Sequence, residues 1–341
     1  MSVHRPPCRR PPSGIGRSRR CKAAAIVAGV VAFLMFDRAW AEPYPSRPIK
    51  IISPFSAGSP PDALARLVAQ RLAERLGQGV TVENRPGGGT IIATKAAAAA
   101  EPNGYTLLQA NSALAYAPAL HPNVGYSPST SFSTVAPLAS WSHLLVVPAD
   151  VEAANVQELI AHARANPGQF NIGFPLGSPP QVLAALFKTA SGAPVNTIPY
   201  RQTSQLIGDL LAGRLQVFFG AGANLVALVQ KGKLKALAYT GTTRYAAFPD
   251  VPTVVECGLP QLALKPSDWT GIVAPIGTPS DVIAKLNVRI NDVLQLPDVQ
   301  ASIRQQGGEP MITSPQEFAA FLATEAKKWP PLVAAAGMEA D

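Results

Sequence analysis

Gly58-Ser59-Pro60-Pro61-Asp62-Ala63-Leu64-Ala65-Arg66-Leu67 and Gly177-Ser178-Pro179-Pro180-Gln181-Val182-Leu183-Ala184-Ala185-Leu186 are the same turn written twice. Each follows a short apolar run and opens a segment of helical spacing. Ser59 and Ser178 stand where an N-cap is expected. Pro60 and Pro179 suit the first helical position, where a fixed φ helps and the missing N–H costs least. Asp62 and Gln181 lie three residues after the serines, the spacing of a capping box. Two strand-turn-helix units, one in each half of the chain, are the seed of the fold.

The rhythm continues outward from both turns. Strands are expected at Ile49–Ile52, Val80–Glu83 and Tyr105–Leu108, with the helix of Leu64, Leu67, Val68, Leu72 and Leu76 between the first two and an alanine-rich helix ending near Glu101. The second half offers strands at 144–147, 171–174, 195–198, 215–219 and 234–239. Helices are expected around Val156–Ala163, 179–191 and 206–211, with another opened by Gly222-Ala223-Asn224. A strand at 269–274 and helices near 279–294, 298–306 and 315–334 remain, and spacing alone lets them cap either set. Alternating strands and helices imply an α/β fold with largely parallel sheets.

The first 41 residues differ from the rest. They carry eight basic residues, an unbroken apolar run from Ala23 to Phe36, and Ala39-Trp40-Ala41. A basic region, a short apolar run and a small-x-small site make a secretory signal, with cleavage expected after Ala41. A spanning helix needs about 20 apolar residues, more than this run supplies. Ser18-Arg19-Arg20-Cys21-Lys22 matches a twin-arginine motif in part, so both export routes stay open. Eight of the 29 basic and one of the 21 acidic residues belong to this leader, which leaves 21 against 20 and a net charge of +1. That balance gives no basic face for nucleic acid. Cys8 and Cys21 leave with the leader, and Cys257 is expected to be a packed apolar residue.

The chemistry-bearing patterns are few. Arg85-Pro86-Gly87-Gly88-Gly89 lacks the Lys-Ser/Thr of a phosphate loop. His121, His143 and His162 show no metal-ligand spacing, no G-x-S-x-G elbow occurs, and no nucleophile is paired with a base. No cofactor and no enzyme activity are expected. An exported hydrolase would need such a pair.

Ordered short motifs carry a family resemblance: Tyr44-Pro45-Ser46-Arg47-Pro48-Ile49, Pro54-Phe55-Ser56-Ala57-Gly58, Val82-Glu83-Asn84-Arg85-Pro86-Gly87, Asn103-Gly104-Tyr105-Thr106-Leu107-Leu108, Pro199-Tyr200-Arg201, Gly232-Lys233-Leu234-Lys235-Ala236-Leu237 and Phe248-Pro249-Asp250-Val251-Pro252-Thr253. In this order, from Tyr44 to the C-terminus, the chain resembles the Bug family of periplasmic solute receptors of tripartite tricarboxylate transporters. The resemblance implies a type II periplasmic-binding-protein architecture: two α/β lobes joined by two crossovers, with the ligand cleft between them. Lobe 1 would be 44–144 plus 268–341, and lobe 2 would be 145–267. It implies a monomeric periplasmic receptor for a small organic solute bearing a carboxylate, with membrane transporter subunits as partners. A receptor of a sensory system is the alternative.

The family's ligand loops fall on the two turns. The first brings Phe55, Ser56, Ala57, Gly58, Ser59 and Asp62, and the second Phe174, Gly177 and Ser178. Both depart from the family pattern, because their prolines withdraw backbone N–H donors. A carboxylate there would depend on the amides of Gly58, Ser59, Gly177 and Ser178, on hydroxyls or on water. Family patterns also place an acid where Gly220 stands and Lys-Gly where Arg201-Gln202 stand. Arg201 follows a strand and offers a bidentate partner to a carboxylate, or is an ordinary surface arginine. Tyr200 would stack on a ligand or pack. Asn111 and Ser112 would hydrogen-bond at the cleft or serve a turn. Asn224 opens a helix at the same end of the second sheet, and Trp269 would wall the cleft or join the core.

Overall fold

The computed structural model describes Met1, residues 44–264, Pro266 and residues 268–335. The leader, its apolar run and the expected cleavage after Ala41 lie outside the described residues, as do Cys8 and Cys21. Residues 45 onward form one compact unit.

Strands β1 to β11, in chain order, form two sheets. The first contains β1 (Ile49–Ser53), β2 (Val80–Asn84), β3 (Thr106–Asn111), β4 (Phe132–Trp141), β10 (Asp268–Pro275) and β11 (Gly308–Pro310), in the order β11-β4-β10-β3-β1-β2. The second contains β5 (Leu144–Pro148), β6 (Asn171–Pro175), β7 (Asn196–Tyr200), β8 (Val217–Gly220) and β9 (Leu234–Tyr239), in the order β7-β6-β8-β5-β9. The helices are α1 (Pro60–Leu76), α2 (Ile91–Ala98), α3 (Ala113–Leu120), α4 (Val156–Ala165), α5 (Pro179–Ser191), α6 (Thr203–Leu211), α7 (Ala223–Gln230), α8 (Ser280–Leu294), α9 (Pro297–Gln305) and α10 (Pro315–Ala335).

The sheets are mixed rather than largely parallel. β1 runs parallel to β2 and β3, and β6 parallel to β7 and β8. β10 is antiparallel to β3 and β4, and β5 to β8 and β9. The antiparallel members are the strands at which the chain passes between sheets. They carry it back along the edge where the parallel strands end.

Besides the three-residue β11, two elements left no periodic signal. β4 holds Pro137, which cannot donate to a ladder. Its register with β10 shifts between Thr270 and Gly271, so the proline sits at a bulge. The close pass there requires Gly271, because a Cβ would come within 2.7 Å of the Phe318 ring and 3.0 Å of Pro137 Cα. α3 is apolar on every side and buried from Ala113 to Ala117, so it has no polar stripe to reveal it. A continuous apolar core runs through both halves of the chain, joining Leu108 and Trp329 to Leu145, Phe187 and Phe219. Cys257 is buried and unpaired, as a packed apolar residue would be. Among the described residues, no helix is long and apolar enough to cross a membrane.

Candidate functional site

The two turns are alike to the level of single hydrogen bonds. Gly58 and Gly177 both take positive φ, +78° and +63°, a conformation natural to glycine. Ser59 Oγ donates to the Ser56 carbonyl at 2.7 Å, and Ser178 Oγ to the Pro175 carbonyl at 2.5 Å. The serines therefore do not cap the helices with their oxygens. The side chains at the third helical position do the closing: Asp62 Oδ2 accepts from Gly58 N–H at 2.8 Å, and Gln181 Oε1 from Gly177 N–H at 2.9 Å. This corrects the expected capping box by one residue. Prolines hold the first two helical positions, and the third-position side chain reaches back past the serine to the glycine amide.

Three of the four expected carboxylate donors are thus already engaged, and among the described residues the Ser178 N–H is the one left over. Gly58 and Gly177 amides serve Asp62 and Gln181, and Ser59 N–H reaches the Ser56 carbonyl at 3.2 Å. Asp62 is itself a buried anchor. It is 1 % exposed and also accepts from Arg66 Nε at 2.9 Å and Asn84 Nδ2 at 2.6 Å. Burial pushes its carboxyl pKa up, but the hydrogen bonds from Arg66, Asn84 and Gly58 outweigh burial and hold it below its ordinary value. Asn84 also donates to the Phe55 carbonyl, which ties the loop to the end of β2. Beneath it, buried Ser53 donates to Gln109 Oε1 at 2.7 Å, and Gln109 Nε2 holds the Pro61 carbonyl at 3.0 Å. Ser56, Ala57 and Gly58 remain exposed at the tip, with Phe55 half-buried.

The other expected residues divide. Tyr200 is buried, and its hydroxyl donates to Asp209 at 2.8 Å, which turns it toward α6. Phe174 and Trp269 belong to the core. Trp269 does not wall an open cleft: it is 1 % exposed, packs edge-on against Phe318 and Phe321, and its indole N–H reaches Glu325 at 3.1 Å. Asn224 faces a cavity of about 300 Å³ between α6 and α7, with Leu211 and Lys231, apart from the two turns. Arg201 is exposed, and makes no hydrogen bond or ion pair among the described residues. It follows Tyr200, whose carbonyl accepts from Leu176 N–H, so it stands beside the second turn. A side chain at Gly220 would strike Phe218 at 2.2 Å, which explains why no acid fits there.

Residues that sequence reasoning missed bring the halves together. Tyr116 on α3 donates its hydroxyl to the Gly177 carbonyl, so the first sheet's helix touches the second turn. Its ring stands edge-on to Trp329 with centroids 5.3 Å apart. Trp329 and Trp269 both donate to Glu325 Oε2, at 3.0 and 3.1 Å, and Lys328 Nζ lies 2.5 Å from Glu325 Oε1. Lys328 also donates to the Pro266 carbonyl, on the segment leading into β10. Buried Ser112 donates to Asp268 Oδ1, where β10 begins. Asn111 pairs with Thr270 across the same edge. The apolar surround of α3 hid Tyr116, and Asp268 carried no motif.

The Tyr116 contact makes a specific outcome expected. Tyr116→Phe keeps the ring on Trp329 but removes the hydrogen bond between α3 and the Gly177 turn. Stability should change by about 1 kcal/mol or less, while the ligand-free protein opens. An unchanged radius of gyration in solution scattering would contradict that role.

The comparisons agree with this architecture. Residues 64–338 match the model of the tripartite tricarboxylate transporter family receptor, TctC. Protein BugT of Bordetella pertussis is 34 % identical over 300 residues, covering 87 % of this chain and 91 % of that protein. The structure of the periplasmic binding protein BugD superposes with a TM-score of 0.74 at 31 % identity, covering 87 % of this chain and 99 % of that one. An adipate-bound protein of R. palustris gives 0.76 at 30 % identity, with 87 % and 99 % covered. Two α/β sheets with matched turns, and matches that span nearly all described residues, lead to one conclusion: the chain belongs to the Bug/TctC family of tripartite tricarboxylate transporter receptors.

Proposed function

We propose that this protein captures a small carboxylate-bearing solute between its two lobes and delivers it to a tripartite tricarboxylate-type membrane transporter. The first 41 residues act as its export signal, and the mature receptor works in the periplasm without a catalytic step. The observation that carries the reading is the pair of matched turns, each at the carboxyl end of a parallel strand, with Tyr116 joining one side to the other. Ligands of open α/β sheets sit beyond those strand ends. The relative that holds adipate supports a carboxylate. Lobes meeting across such a cleft close on the solute by hinge motion.

A thermal-shift screen against acids, amides and amino acids tests the proposal. At 100 times Kd a ligand adds about 2.7 kcal/mol of stability, so a panel with no shift would sink it. Arg201 is the cation beside the second turn, and Arg201→Ala should weaken binding of the captured acid at least tenfold, about 1.4 kcal/mol. Calorimetry with equal affinity for both proteins would remove Arg201 from the site.

A further inference from the structure

We propose that Asp268 selects the solute: it accepts a protonated nitrogen, while the solute's carboxylate end turns toward Arg201 on the other side of the cleft. This names the substrate class of the receptor reading above and rests on it.

The first support is the hydrogen-bond balance at the cleft. Helix starts ordinarily draw anions through exposed N–H groups. Here Pro60, Pro61, Pro179 and Pro180 have none. The Gly58 and Gly177 amides are spent on Asp62 and Gln181. Tyr116 spends its hydroxyl proton on the Gly177 carbonyl. On the first sheet's side one part-buried acceptor also stays open. Both hydrogen bonds to Asp268, from Ser112 Oγ and from Trp269 N–H, end on Oδ1. Oδ2 has no partner among the described residues, and the residue is partly exposed.

The second support is charge. Among the described residues, the charged groups facing Asp268 are Glu325 and Lys328, both from α10. They pair with each other at 2.5 Å and cancel. From α3 comes the Tyr116 phenol, whose pKa burial pushes up, so it stays neutral. Among the described residues Asp268 is thus left as an uncompensated anion, and Arg201 as a cation without an ion-pair partner. A solute with a cationic nitrogen at one end and a carboxylate at the other answers both.

The cost of the arrangement falls on the empty protein. Burial raises the Asp268 carboxyl to about 6, despite the hydrogen bonds from Ser112 and the Trp269 amide. An incoming cation offsets that burial, and amine affinity should decline as the carboxylate protonates below about pH 6.

Calorimetry on the purified protein tests this with straight-chain ω-amino acids, glycine through 6-aminohexanoate, each against the dicarboxylate of equal chain length. At pH 7.5 the best amino acid should bind at least tenfold tighter than its dicarboxylate. Asp268→Asn, which keeps an oxygen for Ser112, should remove that preference. If this variant folds poorly, the wild type supplies the second arm: the preference should fall about tenfold between pH 7.5 and pH 5, since a group titrating near 6 is then mostly protonated. Tighter binding of the dicarboxylate, or a preference unchanged by the substitution and by pH, overturns the assignment while leaving the receptor reading intact. Binding by neither series also overturns it, and silence from the broader panel removes the receptor reading as well.

Discussion

Asp62→Ala is expected to destabilise the protein by about 3 kcal/mol, because it removes the buried acceptor that three donors around the first turn share. The carboxylate is 1 % exposed and takes hydrogen bonds from Gly58 N–H, Arg66 and Asn84. Alanine leaves these donors without a buried acceptor. It also takes one of the two anchors from Asn84, which holds the Phe55 carbonyl and keeps only Arg66 on its own oxygen. Gln181→Ala in the second turn loses a single neutral hydrogen bond and should cost only about 1 kcal/mol. The Asp62 contribution has a pH signature. Its pKa is lower in the folded protein than in the unfolded chain, so its stabilisation is complete above the unfolded value of about 4 and disappears as pH falls through the folded value. Urea unfolding at pH 7.5 and pH 3 checks both points. The gap between wild type and variant should narrow in acid, and a gap independent of pH would contradict the ionic anchor.

Glu325→Ala should be at least as costly, about 3–5 kcal/mol. Glu325 is 1 % exposed, and one oxygen accepts both Trp269 and Trp329 indole N–H groups while the other faces Lys328. Removing it strands two buried indole donors and takes the ion-pair partner from Lys328 at once. Glu325→Gln separates the terms: its carbonyl can still receive the indoles, so about half the loss should return. The consequence also reaches the cleft. Trp329 backs the ring of Tyr116, and Lys328 holds the Pro266 carbonyl before β10. Ligand affinity should therefore fall in Glu325→Ala at temperatures where the variant is still folded. Full affinity in a destabilised variant would confine Glu325 to the core.

The strand-helix rhythm and the doubled turn were legible because they depend on local physics. Gly, Ser and Pro at fixed offsets dictate a helix start wherever they occur. The hydrogen bonds of that turn were not legible, since an N-cap serine and a serine that donates backwards have the same spelling. Trp269 looked suited to a cleft wall, yet Glu325, 56 residues away, gives its N–H a buried acceptor. β4 escaped notice because Pro137 argues against a strand until Gly271 and the bulge make room for it. Ser112 was expected at the cleft, but its partner Asp268 comes from a strand 156 residues later. Long-range pairing assembles this site, and single-sequence periodicity does not record it.

The arrangement of Trp269, Glu325 and Trp329 also gives the protein a built-in optical signal. Two indoles share one carboxylate, and one of them rests against the tyrosine that touches the Gly177 turn. Motion at that turn changes the surroundings of a chromophore nearly free of solvent contact. Closure can thus be followed by intrinsic emission, with no label placed in the cleft.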